Sequence, residues 1–210
     1  MKPLSAFYPR ILPFLPGCSE PMVDQVLVNS AIEFAESSLT LRQNLDPFKT
    51  TAGIVQYDLD PPTKYHDINR IMGVTVDGRE LQPGLFEAIR NDLPTGHAQP
   101  RGFYSDRTDN TFTLMLSPPP DGVYNVVVAV NLRPARGTTM LDDDLYNIWI
   151  DPIVSGAIAR AMQVPDQPFT NFAQAQYLLD SAAKQTNSSR IEGNYGLIRG
   201  SMRVRTRPFA

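Results

Sequence analysis

The residues of this chain best suited to acid–base chemistry are its two histidines, His66 and His97. His66 stands between Tyr65 and Asp67, so an imidazole base has an adjacent carboxylate to orient it. The sequence offers no nucleophile in register with this pair, and nucleophilic catalysis needs one within hydrogen-bond reach of the base. We therefore expect both histidines to be loop residues without a catalytic role.

Cys18 is the single cysteine, and it follows Gly17 directly before an expected helix start. The positive end of a helix dipole can lower the pKa of a thiol at such a position, but no base is identifiable beside it. We interpret Cys18 as a small, partly buried packing residue. One cysteine excludes an internal disulfide, and two histidines leave no Cys/His set for structural zinc.

Three consecutive aspartates, Asp142, Asp143 and Asp144, precede a helical pattern. At a helix start they would cap backbone N–H groups and complement the helix dipole. Binding of a divalent metal is the alternative, but adjacent aspartates diverge in direction and no second acidic group follows at ligand spacing. We therefore expect a capped helix, with no metal and no cofactor.

The sequence lacks the common enzyme signatures. It has no phosphate-binding loop with its lysine, no dinucleotide fingerprint, no H-E-x-x-H motif and no G-x-S-x-G elbow. We expect a protein that is not an enzyme.

Length and composition indicate a globular protein of one domain or two small ones. The 210 residues are 42% hydrophobic and 20% charged, and 19 of them are proline, which makes a single long helical bundle improbable. The longest strongly apolar run, residues 126–130, is far shorter than the roughly 20 residues that cross a bilayer. Prolines also interrupt residues 12–16, which argues against a signal peptide and for synthesis in the cytoplasm.

Charge is distributed unevenly along the chain. The net charge is −3, but residues 190–210 contain five arginines and one acid, Glu192, so this end carries +4 and residues 1–189 carry −7. An acidic body is a poor general binder of nucleic acid, whereas a basic arm is suited to an acidic partner. A solvated, disordered C-terminus is the alternative.

Helical periodicity occurs in three regions. Apolar residues recur at helical spacing over residues 23–39, after a start at Ser19 with Pro21 in the first turn. A second pattern covers residues 142–161, with Pro152 as a kink or as the true helix start, and a third covers 172–182 and ends where residues 185–189 become polar.

Strand patterns fill the region between these helices. The strongest local signal is Asp77-Gly78, which suits the two positive-φ positions of a type I′ turn between residues 74–76 and 79–81. A second hairpin is expected to pair residues 102–105 with 112–116. Further strands are expected at 55–59 and 123–132, and a short helix at 85–90.

Together these patterns predict an α+β fold with three parts. Residues 1–46 and 138–195 are expected to form a helical bundle, residues 47–137 an inserted antiparallel β module, and residues 196–210 an extended basic C-terminal arm. In the arm, Arg203, Arg205 and Arg207 alternate with smaller or apolar residues.

Several segments of the sequence resemble those of a known family. The run from Phe14 to Val23, leading into residues 31–34, is similar to the N-terminal helix of head-to-tail adaptor (connector) proteins of tailed bacteriophages. Residues 126–134 and 156–160, the stretch from Pro165 to Asn171, and the ending 202–209 resemble later parts of the same proteins.

The resemblance implies a structural virion protein that docks as a ring, matched to the twelve-fold portal, beneath that portal at the head-to-tail junction. It also implies that the ring extends the DNA channel and offers a platform to tail or neck proteins. Double-stranded DNA would pass through the ring without sequence-specific binding, and no membrane partner is expected. The portal-docking residues implied are Arg199, Arg203, Arg205, Arg207 and Phe209. A tail, collar or baseplate subunit, and an enzyme with an unrecognised site around His66, are the alternatives.

Overall fold

Buried side chains of this chain form two hydrophobic cores. Phe7 and Leu27 lie in a helical core, and Leu114 and Val126 lie in a β core. Leu41 is partly buried and packs against both cores. The computed structural model describes residues 1–84, 96–108 and 111–195, so the helix expected at 85–90 lies outside the described residues.

Five α-helices among the described residues build the helical core together with the N-terminal segment. The second helix begins directly after Ser19 and has Pro21 in its first turn, as the pattern predicted. The Ser19 hydroxyl makes no capping bond; its carbonyl instead accepts from the N–H groups of Met22 and Val23. The helices are α1 Tyr8–Ile11, α2 Glu20–Ser38, α3 Asp143–Asn147, α4 Ile150–Met162 and α5 Phe172–Tyr195.

Helices α2 and α4 cross with very little space between them. The Ser30 hydroxyl of α2 donates to the carbonyl of Ile153 at 2.7 Å, and a Cβ added at Gly156 would collide with the same hydroxyl. Pro152 stands in the first turn of α4, where a missing N–H costs little, so α3 and α4 are separate helices.

Helix α5 is longer than the sequence predicted. The expected end at residues 185–189 is wrong, because the helix continues to Tyr195. Thr186 donates to the carbonyl of Ala182 at 2.8 Å, and Ser189 donates to that of Gln185 at 2.9 Å. Hydroxyl groups bonded one turn back are satisfied inside a helix, so this polar stretch does not end it.

Strand β10 is the centre of the largest sheet. It pairs with β5 along one edge and with β2 and then β3 along the other, while β6 extends the sheet beyond β5. A second sheet has the order β4-β9-β8-β7, and β1 pairs with β11. The strands are β1 Lys2–Pro3, β2 Arg42–Asn44, β3 Phe48–Lys49, β4 Gln56–Leu59, β5 His66–Val76, β6 Arg79–Glu80, β7 Gln82–Pro83, β8 Gly102–Thr108, β9 Thr111–Ser117, β10 Asn125–Pro134 and β11 Met140–Leu141.

The predicted fold class, a helical bundle with an inserted antiparallel β module, is wrong. The described part of the chain is 29% strand, and its three sheets include a curled half-barrel, so the fold is mixed and rich in sheet. Strands β1, β2 and β11 fall in stretches expected to belong to the bundle, and β7 pairs with β8 in parallel. Two- and three-residue strands are too short to show the alternation that identifies a strand in sequence.

The Asp77-Gly78 turn connects β5 to β6. The φ angles are +48° at Asp77 and +79° at Gly78, and the flanking residues Val76 and Arg79 are paired. Asp77 also ties the turn to β10, since its N–H donates to the carbonyl of Asn125 and its carboxylate accepts from the N–H of Asn125, both at 2.9 Å.

Replacing Gly78 by valine should lower the free energy of unfolding by about 1–3 kcal/mol, because a β-branched residue is strained at positive φ. Steric crowding adds nothing to this cost, since a Cβ added at Gly78 would have no neighbouring atom within 4 Å. Urea unfolding monitored by circular dichroism measures the change. Gly137→Val is the control, because that glycine is exposed, equally uncrowded and outside the positive-φ region. An unchanged midpoint for Gly78→Val would contradict the role given to this turn.

Candidate functional site

The predicted portal-docking residues Arg199, Arg203, Arg205, Arg207 and Phe209 lie outside the described residues. Helix α5, which ends at Tyr195, is the described element that leads into them. Asp77 and Gly78, the other predicted site residues, lie in the hairpin turn described above.

Helix α5 is held on the helical core by a short repeat. Among its residues up to 191, the buried positions are Ala175, Ala182 and Ser189, seven residues apart, and Ala175, Leu178 and Leu179 pack in the helical core. A seven-residue spacing keeps these positions on one face of the helix. The helix that leads into the arm is therefore buried at regular intervals as far as Ser189.

His66 is buried at the junction of the two cores and has both ring nitrogens engaged. Its Nε2 lies 2.7 Å from Oδ2 of Asp142, and its Nδ1 lies 2.8 Å from the hydroxyl of Thr63. The side chain is 8% exposed. His66, which was expected in a loop, is therefore a strand residue, and its contact with Asp142 connects β5 to the start of α3.

The acid beside His66 in sequence is not its partner. The Asp67 carboxylate lies 3.5 Å from Nη2 of Arg133, and the Nη1 of Arg133 pairs with Glu36 of α2. Successive residues of a strand point to opposite faces, which separates His66 from Asp67. The imidazole has no nitrogen left for a substrate, so this cluster gives no support to an enzyme.

Asp142 occupies the N-cap position of α3, but the expected side-chain cap is absent. Its carboxylate binds His66 instead, while its carbonyl accepts from the N–H of Tyr146. The helix dipole is complemented by Asp143 and Asp144 in the first turn. Within residues 1–84, 96–108 and 111–195, no three His, Cys, Asp or Glu residues are grouped to hold a metal.

The pKa values of Cys18 and Tyr8 are both raised. Burial raises the pKa of the Cys18 thiol, so helix-dipole activation is not seen there. Burial and a 2.9 Å hydrogen bond to Asp24 raise the pKa of Tyr8 to about 12, so the phenol remains a donor that ties the N-terminal segment to α2.

The sequence patterns missed a groove between the two larger sheets, here called the acidic seam. It lies where β2 and β3 of one sheet face β4 of the other, and its volume is about 560 Å³. No lysine or arginine is among the described residues that line it. Those residues are Gln43, Asn44, Leu45, Asp46, Phe48, Asp58, Leu59, Asp60, Pro61, Pro62 and Thr63.

A family model described as SU10 adaptor protein matches residues 15–205. No curated protein matches the chain. None of the helices in the described part of the chain is long and apolar enough to span a membrane.

His66→Ala should lower the free energy of unfolding by about 1–3 kcal/mol, because it leaves Asp142 without its partner at the junction of the cores. Equilibrium denaturation measures the difference. His97→Ala is the matched control: His97 is the other histidine and is exposed, so little change is expected. Equal stability of the two variants would contradict the structural role of His66.

Proposed function

The chain belongs to the SU10 adaptor protein family, and from this premise we propose that it docks as a ring beneath the portal and joins the phage head to the tail. The family is one of structural bacteriophage proteins, so the resemblance seen in the sequence is confirmed. In the proposed role the ring extends the DNA channel and presents a platform to tail or neck proteins. Twelve copies would match a twelve-fold portal.

The observation that carries this proposal is the extent of the family match. It covers residues 15–205, which include the β core and all buried residues of the helical core except Leu4, Phe7 and Ile11, and it continues to Arg205 of the arm. The arm as far as Arg205 is therefore part of what the chain shares with the family. A match limited to the helical core would support no role for the arm.

We assign portal docking to the arm, residues 196–210. An extended segment can add to a partner's sheet edge or lie along its surface, with backbone hydrogen bonds giving affinity and arginines giving register. Helix α5 supplies a fixed point of departure, because its buried repeat fastens it to the core. Ordering the arm only when it binds suits stepwise assembly.

The charge of the body suits a protein beside passing DNA. Residues 1–189 carry a formal charge of −7, which repels the phosphate backbone instead of retaining it. A basic wall would bind DNA without sequence preference and slow its movement. This supports a conduit rather than a DNA-binding surface.

Truncation after Tyr195 should leave a folded protein that no longer binds portal. Triple replacement of Arg203, Arg205 and Arg207 by glutamate should weaken binding at least tenfold, and binding of the intact chain should fall as salt rises. Surface plasmon resonance on immobilised portal rings measures both effects, with circular dichroism to confirm folding.

The matched control reverses three exposed arginines of the body, Arg79, Arg101 and Arg136, and so makes the same change in net charge. Its portal affinity should stay within about threefold of the unmodified chain. If the truncated protein binds portal with unchanged affinity, the arm is not the docking element.

A further inference from the structure

Two strand edges face the acidic seam without strand partners among the described residues. On one side, Leu116 donates to the carbonyl of Val55, and residues opposite each other alternate between bonded and non-bonded pairs. The peptide groups of Gln56 and Asp58 therefore point away from β9, and Asp58 lines the seam. On the other side, Leu45 donates to the carbonyl of Val128, so the peptide groups of Asn44 point away from β10.

The seam has an apolar floor and an acidic rim. Leu45 and Leu59 are buried beneath it, at 9% and 5% exposure. Asp46, Asp58 and Asp60 are exposed around it. A strand laid between the two edges would place one face on the leucines and the other beside the three carboxylates.

We propose that the acidic seam binds the C-terminal arm of a second copy of this chain as an added β-strand. In the arm, Met202, Val204 and Thr206 alternate with Arg203, Arg205 and Arg207. As a strand it presents the first three to the leucine floor and the three arginines to the aspartate rim. The alternation of less polar residues with arginines in the arm therefore matches the apolar floor and the acidic rim of the seam.

The size of the seam fits such an insertion. One residue of a strand in a packed sheet fills roughly 160 Å³, which is the product of its rise along the strand, the distance between strands and the distance between packed sheets. A volume of about 560 Å³ therefore holds three to four extended residues, so the segment from Met202 to Arg207 would fill the seam and extend beyond its ends. Two exposed edges give an inserted strand backbone partners on both sides.

Binding in the seam is distinct from portal docking, because it concerns where the arm lies before a portal is present. An arm of one copy in the seam of the next is a head-to-tail contact, which repeats and can close into a ring. Three partly exposed ion pairs and a few added backbone bonds give a weak contact that the portal can replace.

The test is disulfide trapping between full-length chains without portal. In a Cys18→Ser background, one protein carries Asn44→Cys in the seam and the other carries Arg205→Cys in the arm. Asn44 pairs with Ala129 on the outer face of its sheet, which is the face on which the arginines of an inserted strand would lie. Mixing them under mild oxidation should give a covalent heterodimer on a non-reducing gel. Asp60→Cys is a second seam position, in a loop with an exposed side chain. Arg79→Cys, exposed on β6 and outside the seam, is the control and should crosslink at least fivefold less.

Charge provides a second readout in the same experiment. Replacing Asp46, Asp58 and Asp60 together by asparagine should lower the crosslink yield about fivefold, because the carboxylate partners of the remaining Arg203 and Arg207 are lost. Asparagine keeps an acceptor for Thr113, which donates to Asp58 at 3.2 Å. Equal yields at Asn44 and Arg79 would overturn the proposal. A second result would also overturn it: a chain that carries both cysteines forms an internal disulfide, while the mixture of the two singly substituted chains gives no heterodimer. The arm would then lie in the seam of its own chain.

Discussion

Strand β10 is engaged along both edges, and this constraint holds the two cores of the molecule together. Its inner face supplies Val126, Val128 and Val130 to the β core. Toward its end, the buried Asn131 donates to the carbonyl of Ala35 in α2, and Arg133 pairs with Glu36 of the same helix. A strand bonded on both sides cannot move without breaking both cores, since each buried peptide group needs its partner.

The functional surfaces follow from that fixed frame. Because β10 takes β5 along one edge and β2 and β3 along the other, β2 and β3 lie at one edge of their sheet, and the acidic seam lies between that edge and β4 of the other sheet. The helical core holds α5, which leads into the arm after Tyr195. The polar groups of Thr63, His66, Asp67, Arg133 and Asp142 bond to one another at the junction of the cores.

Sequence patterns predicted the features that depend on neighbouring residues. The start of α2 at Ser19 and Pro21, the hairpin turn at Asp77-Gly78 and the pairing of β8 with β9 are local signals, and the structure has each of them. Features that depend on distant residues were missed. The partner of His66 is 76 residues away in sequence, β2 joins a strand more than 80 residues later, and the seam arises only when two sheets curl toward each other. The fold class failed for the same reason, because the shortest strands are defined by their partners and not by their own pattern.

Cryo-electron microscopy of the neck of intact virions can show whether this chain forms a ring between portal and tail. We expect density for such a ring, with residues 196–210 against the portal and the acidic body around the DNA path. Density for the chain in the baseplate or the collar, or a ring whose arms point away from the portal, would contradict it.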